Sequence, residues 1–218
     1  MPRMARASVG GYFYHVLNRG NARARVFHDN NDMLEFVSLM QQSSLRLPMR
    51  IVAYCLLPNH FHLVLQPWND ADLGRWMHWL LTSHVRKYIK KYASTGHVWQ
   101  GRFKAFPIQN DQHLTTVVRY VERNPLRAGL VDQAQDWPWS SLHPRSAEFV
   151  VDLEPSWRSP NWVSFVNQSI TNAELEAIRH SINKGRPFGS ESWIKETART
   201  LGLESTLRPP GRPGNQPN

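Results

Sequence analysis

A chain of 218 residues that is 41% hydrophobic can form one well-cored domain with an extension, or two small domains, and its single cysteine, Cys55, excludes an internal disulfide and a multi-cysteine zinc site. No apolar run approaches the roughly 20 residues of a membrane span, and Met1 to Arg6 lacks the apolar core of a signal peptide, so a cytoplasmic protein with no membrane partner is expected. The formal charge of +9 is unevenly spread: no acid falls between Asp72 and Asp111, where Arg75, Arg86, Lys87, Lys90, Lys91, Arg102 and Lys104 lie, and five arginines precede the first acid at Asp29. A merely solvated face would normally intersperse glutamates, so this pattern points to a polyanion, nucleic acid above all.

Gly11 to Asn18 is aromatic and β-branched and reads as a first strand. Asn30-Asn31-Asp32 offers N-caps to a helix carrying Met33, Leu34, Phe36, Val37, Met40 and Leu47, which Pro48 closes. Two strands follow, Met49 to Leu57, where Cys55 reads as a small buried side chain, and His60 to Gln66, with Pro58-Asn59 as the turn between them. A second helix is expected from about Asp70 to Gly96, with Leu73, Trp76, Met77, Leu80, Leu81 and Val85 on one side. Val98 to Phe106 reads as a fourth strand, and a third helix begins near Asp111 with a packing stripe of Leu114, Val117, Val118 and Val121.

The order β-α-β-β-α-β predicts an α+β fold of the ferredoxin-like kind, with helices on one sheet face and the other face free for a ligand. To this are added the third helix and a mostly helical or irregular C-terminal extension. The expected organisation is a catalytic domain over 1–145, an extension over 146–206 and a flexible basic tail over 207–218. Before the extension, Trp137-Pro138-Trp139-Ser140-Ser141 offers aromatic surface that can pack back on the domain. Thr171 and Glu174 then form a capping box, and a last helix runs from Ser190 to Leu201.

His60 and His62 are the most chemically informative pair, because alternate strand residues point the same way and two imidazoles on one face make half of a metal site. A pair of satisfied sheet histidines is the plain alternative. Tyr120 and Asn124, four residues apart, share a helix face if the helix survives Pro125. A phenol with its usual pKa of about 10 needs a metal or base nearby to attack a phosphodiester. Of the other histidines, His15, His78, His84, His97 and His113 have no partner at ligand spacing and read as structural or phosphate-facing, with His113 set apart because it lies seven residues before Tyr120 on the same helical side.

Three segments, Asn59 to Leu63, Val98 to Lys104 and Arg119 to Val131, resemble in order and spacing the REP-associated tyrosine transposases, in the single-tyrosine branch of the HUH (His-hydrophobic-His) endonucleases. The resemblance implies a ferredoxin-like domain with Mg²⁺ or Mn²⁺ on His60 and His62, Asn124 as third ligand, and Tyr120 as the nucleophile that forms a 5′-phosphotyrosine and releases a 3′-hydroxyl. Two imidazoles suit Mn²⁺ better than Mg²⁺. The implied partner is single-stranded DNA carrying REP hairpins, and the oligomeric state stays open with a monomer as first expectation. Candidate DNA contacts are Arg19, Arg23, Arg86, Lys90, Trp99 as a stacking ring, Arg102, Lys104, Arg123, Arg127, Arg208 and Arg212. A non-catalytic hairpin-binding protein or regulator would keep the same fold and basic surface.

Overall fold

The computed structural model describes residues 8–146 and 158–208; Arg3, Arg6, Arg212 and the tail beyond Arg208 lie outside the described residues. Strand β1 (Phe13–Arg19) leads to helix α1 (Asn30–Arg46), then the hairpin of β2 (Met49–Leu57) and β3 (His60–Pro67), helix α2 (Asp72–Tyr92) and strand β4 (Lys104–Ile108). The strands form one sheet in the order β2-β3-β1-β4, every neighbouring pair antiparallel. This is the expected ferredoxin-like α+β arrangement, built as a split β-α-β unit repeated once.

Alternation along the strands sorts the side chains between two cores. On one face Tyr14, Val16, Tyr54, Phe61, Leu63 and Leu65 meet Phe36 and Met40 of α1 and Trp76, Met77 and Leu80 of α2. Each such fully buried apolar side chain contributes about 1.5–3 kcal/mol. The opposite face, expected to be free, is covered: helix α3 (Gln112–Glu122) lays Val117, Val118 and Val121 over Cys55, Val64, Phe106 and Ile108. Three apolar residues at one helical spacing cannot stay in water, and the bare sheet face is the nearest apolar surface.

The extension shares both cores. Helix α5 (Trp162–Asn167) and helix α6 (Asn172–Lys184) bury Trp162, Val166 and Ile178 in the α3-side core, while Ala198 of helix α7 (Glu191–Thr200) and Leu203 join the other. The expected capping box of Thr171 and Glu174 is formed, and Ser190 caps α7 through the Trp193 amide. The aromatic segment packs back as expected by extending the β2 edge: Leu56 N donates to the Trp139 carbonyl, Ser141 N to that of Tyr54, and Trp137 Nε1 to that of Leu56. Among the described residues no helix is long and apolar enough to cross a membrane.

Several boundaries differ from expectation for local reasons. The α1 cap is Asp29, one residue earlier, accepting from the Asp32 amide. Helix α2 ends at Tyr92 with Ala93 in the left-handed region, before Gly96. Strand β4 starts only at Lys104, because Val98 to Phe103 instead wraps across the sheet end, with Trp99 bridging Gly20 and Gln100 N bonding the Arg19 carbonyl. Gly20 is required there, since a Cβ would meet the Ala24 carbonyl oxygen at 2.2 Å.

Two of the bases in the acid-free stretch are neutralised on the helical layer, Lys87 by Glu35 and Lys91 by Asp29 and Asp32. Burial alone would raise the Asp32 pKa, but hydrogen bonds from Lys91, Tyr92 and the His28 amide outweigh it and hold the carboxyl below its ordinary value. With the folded pKa depressed, this stabilisation is present above the unfolded value of about 4 and is lost as pH falls through the folded one. Urea unfolding at pH 6 and at pH 3 is therefore expected to show a smaller drop in midpoint for Asp32→Asn than for the wild type. Equal drops would mean that the carboxyl is not coupled to folding.

Candidate nucleic-acid cleavage site

His60 opens β3 directly after the Pro58-Asn59 turn, and His62 follows on the same face, buried to 3% exposure. The register sets His62 opposite Leu17 and Val64 opposite His15, so His15 is the diagonal neighbour of His62 on that face. The His15 Nε2 and His62 Nδ1 atoms are 2.8 Å apart, and the rings stack at 5.0 Å between centroids. His60 Nδ1 lies 2.6 Å from Asn59 Oδ1, while the other end of that amide donates to the Arg23 carbonyl. His15, treated above as having no partner, is thus brought by strand pairing into contact with the histidine pair.

Burial holds all three rings neutral at physiological pH. It pushes His15 down to about 3 and His60 to about 4, the latter with help from Arg19 and Arg127, and it lowers His62 strongly, aided by His15 and His60. A neutral imidazole is the form that ligates a metal. In both His60 and His62 the Nδ1 atom is engaged, which leaves Nε2 as the available donor. Among the described residues no group of three or more His, Cys, Asp or Glu is placed to hold a metal ion, so His60 and His62 offer two imidazole donors and any further ligand would have to be an oxygen.

Helix α3 delivers Tyr120 to the same place. Its ring packs edge-on against His62 at 5.7 Å and His15 at 6.1 Å between centroids, and its hydroxyl has no hydrogen-bond partner among the described residues. Tyr120 and the two sequence-identified histidines line one cavity of about 630 Å³. Its rim is basic, carrying Arg19, Arg102, Lys104 and Arg127 together with Arg179 of α6. Arg179 and its neighbour Asn183 were not legible as site residues, because nothing in the extension's own pattern distinguishes them from an exposed helix face.

Asn124 is placed differently from expectation. Helix α3 ends at Glu122, and Asn124 begins the short helix α4 (Asn124–Arg127), where Pro125 brings no N–H to continue the ladder. The Asn124 side chain is fully buried: Nδ2 donates to the Tyr120 carbonyl at 3.0 Å and Oδ1 accepts from Arg127 Nη2 at 2.6 Å. It is therefore not presented on the cavity wall, although Arg127, which holds it, is, with its guanidinium 5.4 Å from the centre of the Tyr120 ring.

The remaining candidate DNA contacts divide by burial. Trp99 is a correction: at 6% exposure it packs among Phe27, Phe36, Phe61 and His84 and offers no face to a base. Arg123 is another, because its guanidinium donates to the Val166 and Asn167 carbonyls at the end of α5, beside Arg119, which holds those of Phe165, Gln168 and Ser169. Two cations on a helix C-terminus satisfy its orphan carbonyls, a structural use that proximity to Tyr120 in sequence does not reveal. Arg86 and Lys90 are exposed on α2, Arg23 on the loop after β1 and Arg208 at the end of the described chain; none of them lines the cavity.

Comparison with known proteins identifies the family. The family described as transposase IS200 like matches residues 8–124. A Haemophilus influenzae protein, provisionally named a REP-associated tyrosine transposase, is 32% identical over 145 residues, spanning 62% of this chain and 80% of its own. The REP-associated tyrosine transposase of Escherichia coli K12 is 28% identical over 136 residues, spanning 62% of this chain and 78% of its own. The fold is shared with a solved REP-associated tyrosine transposase bound to a REP hairpin, at a TM-score of 0.55 and 21% identity, covering 78% of this chain and 96% of that one. With the histidine pair and the tyrosine gathered on one sheet face, the chain belongs to the IS200-like transposase family, in its REP-associated tyrosine transposase branch.

Proposed function

We propose that the protein is a metal-dependent endonuclease and strand-transferase that cleaves single-stranded DNA beside REP hairpins through Tyr120. The observation that carries this reading is the packing of Tyr120 against His62, 5.7 Å between ring centroids, at the wall of a basic cavity. A divalent ion, Mn²⁺ more readily than Mg²⁺, held by His60 and His62, would polarise the scissile phosphate and offset charge on the leaving oxygen.

The chain's own groups perform the rest. Arg19, Arg102, Lys104, Arg127 and Arg179 draw the phosphate backbone of an unpaired strand across the cavity, the sequence-independent part of DNA affinity. The Tyr120 oxygen attacks the scissile phosphorus and loses its proton to water. The bond from phosphorus to the 3′ oxygen breaks, that oxygen leaves as a 3′-hydroxyl after gaining a proton, and the phosphate stays on the downstream strand as a 5′-phosphotyrosine. Attack by another 3′-hydroxyl reverses the step and joins new strands. Asn124 Oδ1, which accepts from Arg127 Nη2, would be the third protein donor to such a divalent ion. The histidines and the tyrosine come from one chain, which supports action as a monomer, and a DNA substrate supports a cytoplasmic location.

The test is a hairpin oligonucleotide labelled at its 3′ end, incubated with the protein and Mn²⁺. A labelled covalent adduct is expected on a denaturing gel, and chelation of the metal is expected to remove it. Tight binding without any adduct would favour a non-catalytic hairpin-binding protein, and cleavage without a protein-linked product would favour attack by water.

A further inference from the structure

We infer that His15 is a positioning residue for His62, holding its ring in the orientation and tautomer that leave Nε2 free to bind a cation. The inference rests on the reading of His60 and His62 as metal ligands. It begins from a contrast between them. The Asn59 amide is oriented by its bond to the Arg23 carbonyl, so the atom facing His60 Nδ1 is an oxygen, which can only accept. His60 therefore carries its proton on Nδ1 and its lone pair on Nε2.

His62 has no such oxygen. The partner of its Nδ1 is His15 Nε2 at 2.8 Å, and with His15 at 0% and His62 at 3% exposure no solvent competes for that contact. A single proton lies between the two nitrogens. If it belongs to His62, its Nε2 has a lone pair; if it belongs to His15, His62 Nε2 carries hydrogen and cannot ligate. The ligating arrangement requires His15 to accept at Nε2 and carry its own proton on Nδ1. Among the described residues, that Nδ1 is one of the few buried side-chain atoms with no hydrogen-bond partner. A solvent-sealed histidine with an orphaned nitrogen is costly as packing alone, and an apolar side chain would fill the position without that cost. Phe106 and Tyr120, both edge-on to the His15 ring, keep it from turning away.

The experiment compares full-length wild type, His15→Leu, which fills the space without an acceptor, and His15→Gln, whose amide oxygen can replace Nε2. Long-range proton–nitrogen NMR correlations on the metal-free proteins are expected to show His62 protonated on Nδ1 in the wild type and in His15→Gln, and not held in that tautomer in His15→Leu. Titration with Mn²⁺, read by the spin resonance of the free ion, is expected to show affinity about 10–100-fold weaker in His15→Leu and within about threefold of wild type in His15→Gln. Wild-type His62 protonated on Nε2, or undiminished Mn²⁺ affinity in His15→Leu, would overturn the inference. Should His15→Leu fail to fold, the wild-type tautomer and the His15→Gln affinity decide it. Undiminished Mn²⁺ affinity in His60→Ala and His62→Ala would instead overturn the metal site itself, an outcome separable because those variants leave His15 in place.

Discussion

Tyr120→Phe is expected to abolish the covalent protein–DNA adduct and to slow strand cleavage by on the order of 10⁴-fold or more, the scale seen when a nucleophile is removed. The substitution deletes one oxygen whose hydrogen bonds to no described side chain, so no buried partner is stranded. The ring remains in contact with His62, His15 and the Arg127 guanidinium. Hairpin affinity and the unfolding midpoint are therefore expected to stay at wild-type values. Binding by fluorescence anisotropy, alongside the denaturing gel, separates a lost nucleophile from a lost site. An adduct that survives in Tyr120→Phe would move the nucleophile elsewhere.

Glu122→Ala is expected to have the largest effect on stability. The carboxylate is fully buried on the far side of α3 from the cavity, and it accepts from Arg158 Nη2, Ser141 Oγ at 2.6 Å and Trp162 Nε1 at 2.6 Å. Burial pushes its pKa above the usual carboxylate value against the pull of those donors. Removing one member of a buried ion pair costs about 3–5 kcal/mol, and here three donors lose their shared charged acceptor at once. Against a total stability of about 5–15 kcal/mol this is a large share, and for a domain of this size it is roughly a 6–20 °C fall in melting temperature. Thermal unfolding followed by circular dichroism measures it; a fall under about 1 kcal/mol would place the group among surface pairs. Trp162 belongs to α5, whose C-terminal carbonyls Arg119 and Arg123 hold, so the same carboxylate helps fix the extension that carries Arg179 to the cavity rim.

Much of the architecture is legible along the chain because it rests on local signals. Strand alternation put His60 and His62 on one face, the Pro58-Asn59 turn bounded both strands of the hairpin, and the valine stripe of α3 marked a helix that had to find an apolar surface. Trp99 shows where local reading fails: an aromatic residue among bases reads as a stacking platform, yet the chain around it crosses the sheet end and buries the ring. Arg123 fails similarly, since a cation near a nucleophile and a cation on a helix end have the same sequence signature.

The amino-acid sequence by itself determined the order of the elements and the shared face of the histidine pair, because these follow from periodicity within one strand or one helix, while Tyr120 was singled out by the family resemblance. Only the tertiary structure decided which groups surround them. Strand pairing between β1 and β3 brought His15 to His62, burial at the start of α4 engaged the Asn124 amide with the Tyr120 carbonyl and Arg127, and packing of α6 supplied Arg179 to the rim. Such contacts join residues distant along the chain, and burial of apolar faces selects them; no spacing within a segment encodes which distant side chain will arrive.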